Sequence, residues 1–270
     1  MKHTIFLLTA IFLVGAGAPA SGQAPAPKLN CGQTRFFGNG LVPYCEIREM
    51  SLPLGGLFTA KTINGNITVQ PWDGPDVLVR AQVLTAAENE WLAAGLAALV
   101  TVDTTSGNAL GHGPSTDGHQ QWSLNFEIYV PPQAAVSLIT VNGNISVSDV
   151  PGAIGFNTTN GNVTVTGGGG DVQGHGVNGN ITVSTDHWQG QTLDVRTVNG
   201  NVELIVPKDC SAHVELSTVL GNISTTFQTP SWGRPWGMPW MGRKLSFDLG
   251  SGGGLVRAST TLGNIRLTGM

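Results

Sequence analysis

Hydrophobic and polar residues alternate along much of the second half of the chain. Leu193, Val195 and Thr197 alternate with polar or charged residues, and Val202 and Leu204 resume the alternation a few residues later. A period of two with β-branched residues is typical of a β-strand that buries one face. Between the two runs lies an Asn-Gly pair, which favours a sharp change in backbone direction. The pattern therefore predicts short strands joined by tight corners.

The corner and its flanking strands recur as a repeat that reads TVNGNI in its best copy. From the second copy onward, neighbouring corner glycines are about 20 residues apart, or twice that, and a fixed period of this length predicts a solenoid of stacked units. The predicted fold is all-β, a single-stranded, right-handed parallel β-helix, and its hand follows from the usual crossover of parallel strands. An array of hairpins is the alternative, because Asn-Gly is also a hairpin signal. The corner glycines are Gly65, Gly143, Gly161, Gly179, Gly200, Gly221 and Gly263.

The alternation also predicts which way the corner asparagines point. Counting by twos along the strand places Thr197 and Asn199 on the inward face, and two later copies have leucine at the asparagine position. A buried amide without a partner costs about 1–3 kcal/mol, so these side chains must bond to neighbouring coils or to the corner backbone. We therefore predict an inward ladder of Asn64, Asn142, Asn160, Asn178, Asn199, Leu220 and Leu262.

Between the first and second copies the repeat is interrupted by a helical pattern. Residues 85–88 (TAAE) have the form of a capping box, which opens a helix. The helix is expected over about 86–98, either covering the open end of the solenoid or lying along its flank. Its predicted buried stripe, at helical spacing, comprises Trp91, Leu92, Leu96 and Leu99.

The remaining segments set the expected domain boundaries. Residues 1–22 have the positive start and short apolar run of a secretory signal peptide, and that run is too short to span a bilayer. Residues 23–50 form an N-terminal tail, and residues 51–270 form one β-solenoid domain. Within that domain, residues 229–244 are a Trp-, Pro- and Gly-rich loop, since the prolines and glycines there exclude a helix.

Composition narrows the class of protein. Charged residues make up 11% of the chain, against about 25% in ordinary domains. A net charge of −4 gives no basic surface for nucleic acid. No segment is apolar enough to be a transmembrane span. We expect an exported protein of the periplasm, the cell surface or the extracellular space.

The repeats also resemble a known family. TVNGNI copies behind a signal peptide resemble a bacterial family of putative adhesins with β-strand repeats, of unknown function, and are similar to head-GIN-type adhesin-like β-helix proteins. The likeness covers most of the chain after the signal peptide and includes residues 45–49 (CEIRE), 129–131 (YVP) and 249–253 (LGSGG). It implies a single-stranded, right-handed β-helix.

Three cysteines in an exported chain suggest one disulfide and one remaining thiol. Cys31 and Cys45 flank a short glycine-containing loop, and a bridge between them stabilises the fold by about 3 kcal/mol in the chain-entropy model. It ties the N-terminal tail to the first coil. Cys210 follows a strand end, where we expect it to be a small buried residue.

No catalytic signature accompanies the repeats. His112, Asp117 and His119 share one glycine-rich loop, but nothing beside them in sequence completes a metal site, and we expect no metal and no cofactor. A glycosidase needs two carboxylates facing one bond. The carboxylates of the repeats are instead distributed over different corners and strands, at Asp149, Asp171, Asp186, Asp194 and Glu203.

The Trp-rich loop carries the candidate binding residues. Tryptophan faces stack on sugar rings or lie at membrane interfaces, and arginines attract anionic headgroups. The alternative is that this loop plugs the last coils. The candidates are Trp232, Trp236, Trp240, Arg234 and Arg243.

The sequence thus favours a non-enzymatic, exported β-solenoid, an adhesin-like scaffold that binds surfaces. Its partner would be a surface glycan, another envelope component or a lipid interface. A carbohydrate-active β-helix enzyme is the first alternative, and a self-assembling structural protein of the envelope is the second.

Overall fold

The computed structural model describes residues 31, 40–116, 118–229 and 242–270. Over these residues the chain is all-β, with one α-helix and a single 3₁₀ turn at Thr105–Gly107. The elements are β1 (Val42–Leu52), β2 (Leu57–Asn64), β3 (Ile67–Pro71), β4 (Val77–Ala87), α1 (Glu90–Leu99), β5 (Thr101–Asp103), β6 (Ala109–His112), β7 (Gln121–Val130), β8 (Ala135–Asn142), β9 (Ile145–Ser148), β10 (Ile154–Asn160), β11 (Val163–Thr166), β12 (Val172–Asn178), β13 (Ile181–Ser184), β14 (Thr192–Asn199), β15 (Val202–Val206), β16 (Ala212–Leu220), β17 (Ile223–Thr225), β18 (Arg243–Leu249), β19 (Leu255–Leu262) and β20 (Ile265–Gly269).

The strands form two large mixed sheets of ten strands each. Sheet A has the order β1-β4-β7-β3-β9-β11-β13-β15-β20-β17, and sheet B has the order β18-β16-β19-β14-β12-β10-β8-β2-β6-β5. Every Asn-Gly or Leu-Gly corner joins a strand of sheet B to a strand of sheet A; Gly143, for example, lies between β8 and β9. The corners are therefore bends between sheets, and the hairpin alternative is wrong.

The alternating pattern produces the core as expected. In β14, Leu193 and Val195 are fully buried while Asp194 and Arg196 face outward, and in β15 Val202 and Leu204 continue the buried set. The apolar residues of the two sheets form one continuous core. Burying one Leu or Val side chain stabilises a fold by about 1.5–3 kcal/mol, so the repeated inward positions supply most of the driving force.

Neighbouring copies of the repeat are stacked in parallel and in register. Asn160 pairs with Asn142 on one side and with Asn178 on the other, and Asn178 pairs in turn with Asn199. Strands in such a ladder are about 4.8 Å apart. Equivalent residues of successive copies therefore form straight columns.

The order of the stack departs from the order of the chain at the C-terminus. The last copy, β19 with β20, lies between β14/β15 and β16/β17, and pairs in parallel with both. The long spacing between the last two corner glycines thus does not mark a missing copy. The intervening chain passes outward through β16 and β17, returns as β18, which pairs antiparallel with β16, and only then enters the gap.

At the other end, antiparallel strands and a helix cover the stack. Strands β1, β4 and β7 pair antiparallel, and α1 packs on β1 and β4. The helix begins later than predicted, because Thr85 remains in β4 and donates its Oγ1 proton to the carbonyl of Ala93, at 2.7 Å. Asn89 is the N-cap instead, and its Oδ1 accepts from the backbone N–H of Leu92 at 2.9 Å.

The predicted buried stripe of this helix is partly wrong. Trp91 is 81% exposed and Leu99 is 62% exposed. Ala93, Leu96 and Ala97 are the buried residues. The helix is apolar around most of its circumference, so hydrophobic spacing alone could not identify the inner face.

The inward direction predicted for the asparagine ladder is also wrong, although the ladder bonds are present. The Nδ2 of Asn142 donates to the Oδ1 of Asn64 at 2.8 Å, and the same bond joins each later asparagine to the one before it, up to Asn199. Asn142 to Asn199 are exposed, as are the two leucines that continue the column, Leu220 at 58% and Leu262 at 46%.

Alternation fails at this point because the backbone bends between the two sheets. Thr197 is buried, but Val198 and Asn199 both face outward before the glycine. The inside of the corner is filled by the backbone itself: a Cβ added to Gly143 would lie 1.9 Å from the carbonyl oxygen of Gly65. That oxygen accepts from Thr140 Oγ1 at 3.0 Å, which leaves no room for an inward amide.

Replacing a corner glycine should therefore destabilise the fold strongly. In Gly161→Ala the new Cβ would meet the carbonyl oxygen of Gly143 at 1.9 Å, on a backbone whose φ is +155°. Strain at such a φ costs about 1–3 kcal/mol and overpacking costs about 1–3 kcal/mol. We expect urea denaturation to show a loss of at least about 2 kcal/mol in the free energy of unfolding.

Gly155→Ala in β10, the strand that leads into this corner, is the matched control. A Cβ there has its nearest neighbour at 3.6 Å and no positive φ. It should change the free energy of unfolding by less than about 0.5 kcal/mol. Equal losses in the two variants would contradict the close-contact explanation.

Candidate binding surfaces

Most of the predicted binding residues cannot be placed. Trp232, Arg234, Trp236 and Trp240 lie outside the described residues. Arg243 is the first residue of β18; it is exposed and pairs with Thr218 of β16. The Trp-rich loop therefore stays a prediction, and the surfaces that the structure does define are formed by other residues.

The first surface is the outer face of sheet A. Thr68, Ser146, Thr164 and Thr182 form one row across four neighbouring strands, in register. A second row beside it contains Ser148, Thr166 and Ser184. The side chains of these two rows, the hydroxyl rows of sheet A, all carry a hydroxyl group and none is charged. The first row ends at Glu203, which faces Arg266 at 4.0 Å.

The second surface is a row of charges on the outer face of sheet B. Arg257 of the inserted strand lies between Asp194 on β14 and Glu215 on β16. Its Nε donates to Glu215 at 2.8 Å, and its NH1 reaches Asp194 at 3.4 Å. These bonds raise the pKa of Arg257 and lower the pKa of Glu215, so both stay charged. Arg196 and Arg257 are both paired with carboxylates, and Lys244 of β18 lies beside them.

The same face brings together a hydroxyl, an imidazole and a carboxylate. Asp248 Oδ1 is 2.5 Å from His213 Nδ1, and Ser246 Oγ is 3.4 Å from His213 Nε2. This is the order of groups in a serine hydrolase triad. The hydrogen bond to Asp248 and the charge of Glu215, 3.6 Å from Nε2, raise the pKa of His213. His213 pairs with Asp248 across β16 and β18, and both side chains are exposed, so we interpret the cluster as an ion-pair clasp between these strands.

The third surface is an open groove of about 490 Å³ formed by the loops that follow β13, β15 and β18. Trp188 is half-buried at its base, and the indole Nε1 donates to the carbonyl of Ser211 at 2.8 Å. This bond fixes the ring while leaving part of it accessible. Asp186, Gln189 and Asp209 line the same groove and are exposed.

Two carboxylates that are 23 residues apart in the sequence thus line one groove. Asp186 follows β13 and Asp209 follows β15, and stacking of successive copies brings their loops together. Trp188 was missed because a single tryptophan between two repeats gives no pattern. Aligning the copies of the repeat could have placed Asp186 and Asp209 together, because each follows the second strand of its copy.

Two of the three cysteines are bonded to each other, and the third is a free thiol. Cys31 and Cys45 form a disulfide with a Cα–Cα distance of 5.7 Å, which attaches residue 31 to β1. Cys210 is a free thiol, 3% exposed. Burial, with the nearby charge of Asp209, raises the pKa of this thiol to about 11. A thiol in this state is a poor nucleophile.

Asp117 lies outside the described residues, and the described part of the chain holds no group of three metal-ligating side chains that includes His112 or His119. Among the same residues, no helix combines the length and the apolar character that crossing a bilayer requires.

Comparison with known proteins gives weak likenesses. No family model and no curated protein matches the sequence. The chain is similar to a "putative cell adhesion protein" from Clostridium sporogenes, with 9% identity, 85% of this chain and 100% of that chain covered, and a TM-score of 0.40. It is similar to a "putative adhesin" from Bacteroides fragilis, with 9% identity, 83% and 97% covered, and a TM-score of 0.33.

A third solved structure is a "putative lipid binding protein" from Parabacteroides distasonis. The two sequences are 10% identical, the match covers 83% of this chain and 96% of that chain, and the TM-score is 0.27. Scores at this level carry no argument for function, so the proposals below rest on the surfaces themselves.

The clasp at His213 predicts a pH dependence. The folded state raises the pKa of His213 above its ordinary value of about 6.5. Its stabilising effect is therefore complete below about pH 6.5 and is lost as the pH rises through the folded pKa. We expect the urea midpoint to fall between about pH 6.5 and the folded pKa, and His213→Asn to remove this part of the pH dependence.

His175→Asn is the control, because His175 is also exposed on sheet B and no ion pair involves it among the described residues. It should leave the pH profile unchanged. If the wild-type midpoint were constant over this range, the clasp would not couple protonation to stability.

Proposed function

We propose that the stacked repeats are the coils of a single-stranded, right-handed parallel β-helix, with residues 51–270 as one domain behind a cleaved signal peptide at 1–22. Support comes from the parallel, in-register pairing of successive copies. It also comes from corners that alternate between the two sheets. The near-universal right-handed crossover of parallel strands gives the hand.

On this scaffold we propose a non-enzymatic, adhesin-like function: an exported protein of the cell envelope that binds a glycan at a surface. The observation that carries the proposal is the groove at Trp188. Its fixed aromatic face suits the apolar side of a sugar ring. Asp186, Gln189 and Asp209 supply acceptors and donors for sugar hydroxyls around it. Specific ligand sites are concave in this way, with a few polar groups around an apolar base.

The hydroxyl rows of sheet A extend the surface available to a long partner. They carry no charge over four strands, so a neutral polysaccharide could lie along them without removing water from an ion. Their spacing repeats with the coils, which matches a partner that is itself a repeating chain. Each contact would be weak, and the sum over several coils supplies the affinity.

One observation favours the alternative of a carbohydrate-active enzyme. Asp186 and Asp209 line a single groove, and glycoside hydrolysis needs two carboxylates at one bond. The second alternative, a self-assembling envelope element, is supported by the open edges of the stack, where β17 and β18 have no outer neighbour among the described strands.

The glycan proposal predicts that neutralising the two carboxylates of the groove weakens binding to polysaccharide. Asp186→Asn with Asp209→Asn should weaken pull-down on the insoluble polysaccharide that retains the wild type. Each lost hydrogen bond to a charged group is worth about 1.5–3 kcal/mol, so we expect retention to fall at least about tenfold. Binding is measured by depletion from solution over a panel of cell-wall and storage polysaccharides.

Asp149→Asn is the matched control. Asp149 is an exposed carboxylate in the loop after β9, and its φ of +55° suits asparagine as well. It should bind like the wild type. Release of reducing sugar by the wild type, abolished in the double variant, would instead support the enzyme, and absence of binding to every polysaccharide would contradict the glycan proposal.

The Trp-rich loop calls for a separate experiment. We expect Trp232→Ala, Trp236→Ala and Trp240→Ala together to lower the thermal midpoint without changing retention on polysaccharide or on lipid vesicles, as a plug of the last coils requires. Lost retention at an unchanged midpoint would assign the binding to this loop.

A further inference from the structure

The outer face of α1 is apolar and has no partner within the described chain. Its inner face, Ala93, Leu96 and Ala97, packs on β1 and β4. Trp91 is 81% exposed, and Leu99 is 62% exposed. With Ala94, Gly95 and Ala98, these residues follow the spacing i, i+3, i+4, i+7, i+8, which is that of a helix stripe built to pack against something.

Gly95 has no packing role within the part of the chain that the structure describes. A Cβ added at Gly95 would have nothing within 4 Å. Glycine is the poorest helix former after proline, because it loses the most backbone entropy. The residue therefore weakens the helix with no compensating contact among the described residues. A glycine flanked by Ala94 and Ala98 on an exposed face is what a close approach between two helix backbones needs.

We propose that α1 pairs antiparallel with α1 of a second copy of this chain, about a twofold axis that passes close to Gly95. In such a pair, residues equally far before and after Gly95 face each other, so Trp91 of one copy meets Leu99 of the other, in both directions. The twofold axis thus covers both large exposed apolar side chains of the stripe, each by the other copy. An isologous contact of this kind is the commonest one in homo-oligomers.

Charge favours a second copy in the antiparallel orientation. Glu88 and Glu90 lie at the N-terminal end of α1. At its C-terminal end, the guanidinium of Arg48 donates to the carbonyls of Ala97, at 2.9 Å, and Val100, while also pairing with Glu46. Antiparallel pairing places each acidic end beside the other copy's Arg48–Glu46 pair, whereas parallel pairing would bring the two acidic ends together. A lipid surface fits less well, because α1 has no Lys or Arg, which interfacial helices use to bind anionic membranes.

The contact is small, and this limits its strength. A helix of ten residues is about 15 Å long, so the pair covers less than the roughly 1,600 Å² of a standard interface. We therefore expect a weak, concentration-dependent dimer. Joining two scaffolds at their helix ends would present two sets of sheet faces to one surface and raise avidity.

Sedimentation equilibrium of the purified protein from about 1 μM to about 1 mM tests the proposal. The wild type should pass from monomer to dimer within this range. Trp91→Ser should raise the dissociation constant at least about tenfold, as removal of a central aromatic contact does. Gly95→Gln should do the same by adding bulk at the crossing, yet raise the thermal midpoint, because glutamine is the better helix former.

Leu57→Ser is the control, since Leu57 is as exposed as Leu99, at 62%, but lies on β2 of the other sheet. It should leave the dissociation constant unchanged. A wild type that stays monomeric throughout, or a dimer that Trp91→Ser and Gly95→Gln do not weaken, would overturn the proposal. Co-sedimentation of the monomer with phosphatidylcholine vesicles, lost in Trp91→Ser, would overturn it in favour of a lipid partner.

Discussion

The structure depends on the contact between successive corner glycines. Each corner carbonyl oxygen occupies the place where the next glycine would carry its Cβ, and it also accepts the hydroxyl proton of that next copy's threonine. This holds from Thr140 on Gly65 to Thr218 on Gly263, except at Gly161, because the next copy has Gly176 in place of the threonine. The glycine thus sets the separation between neighbouring copies, and the threonine, where it is present, satisfies the corner carbonyl oxygen at the bend. Because both act through backbone positions, the copies can differ elsewhere in sequence and still lie in register. The external asparagine bonds follow from that register and do not create it.

Register alone does not explain why the last copy enters between two earlier ones. If β16 lay directly on β14, the same register would place Glu215 beside Asp194, and like charges opposite each other are destabilising. Insertion of β19 places Arg257 between them instead. At the adjoining corner Leu262 lies between Asn199 and Leu220, so an amide faces a leucine in either stacking order and only the charges differ. Exposed ion pairs contribute little to stability, but here they distinguish two otherwise equivalent stacking orders.

How much of this arrangement the sequence predicted depends on how far apart in the chain the interacting residues lie. Period-two alternation is local, so the strands, the inward residues such as Leu193 and Val195, and the stacked corners could be predicted. The direction of Asn199 could not, because alternation assumes a straight strand and the bend lies within two residues of it. The insertion of β19 depends on pairings between residues about 60 positions apart, such as Asp194 with Arg257. The groove could not be predicted for the same reason, since Asp186 and Asp209 come together only when the copies stack.

The asparagine ladder has a direction, and this gives the two ends of the stack different chemistry. Every Nδ2 donates toward the N-terminal copies, so the series begins at the Oδ1 of Asn64 and ends at Asn199, beside Leu262, which cannot donate. Beyond that point the corner column is apolar, through Leu262 and Leu220. At the opposite end, antiparallel strands and α1 cover the coils. A fold built from one repeated unit therefore has ends that are chemically distinct. Contacts at the helix end can join two copies without extending into an open filament, because a twofold pairing uses up that end in both partners.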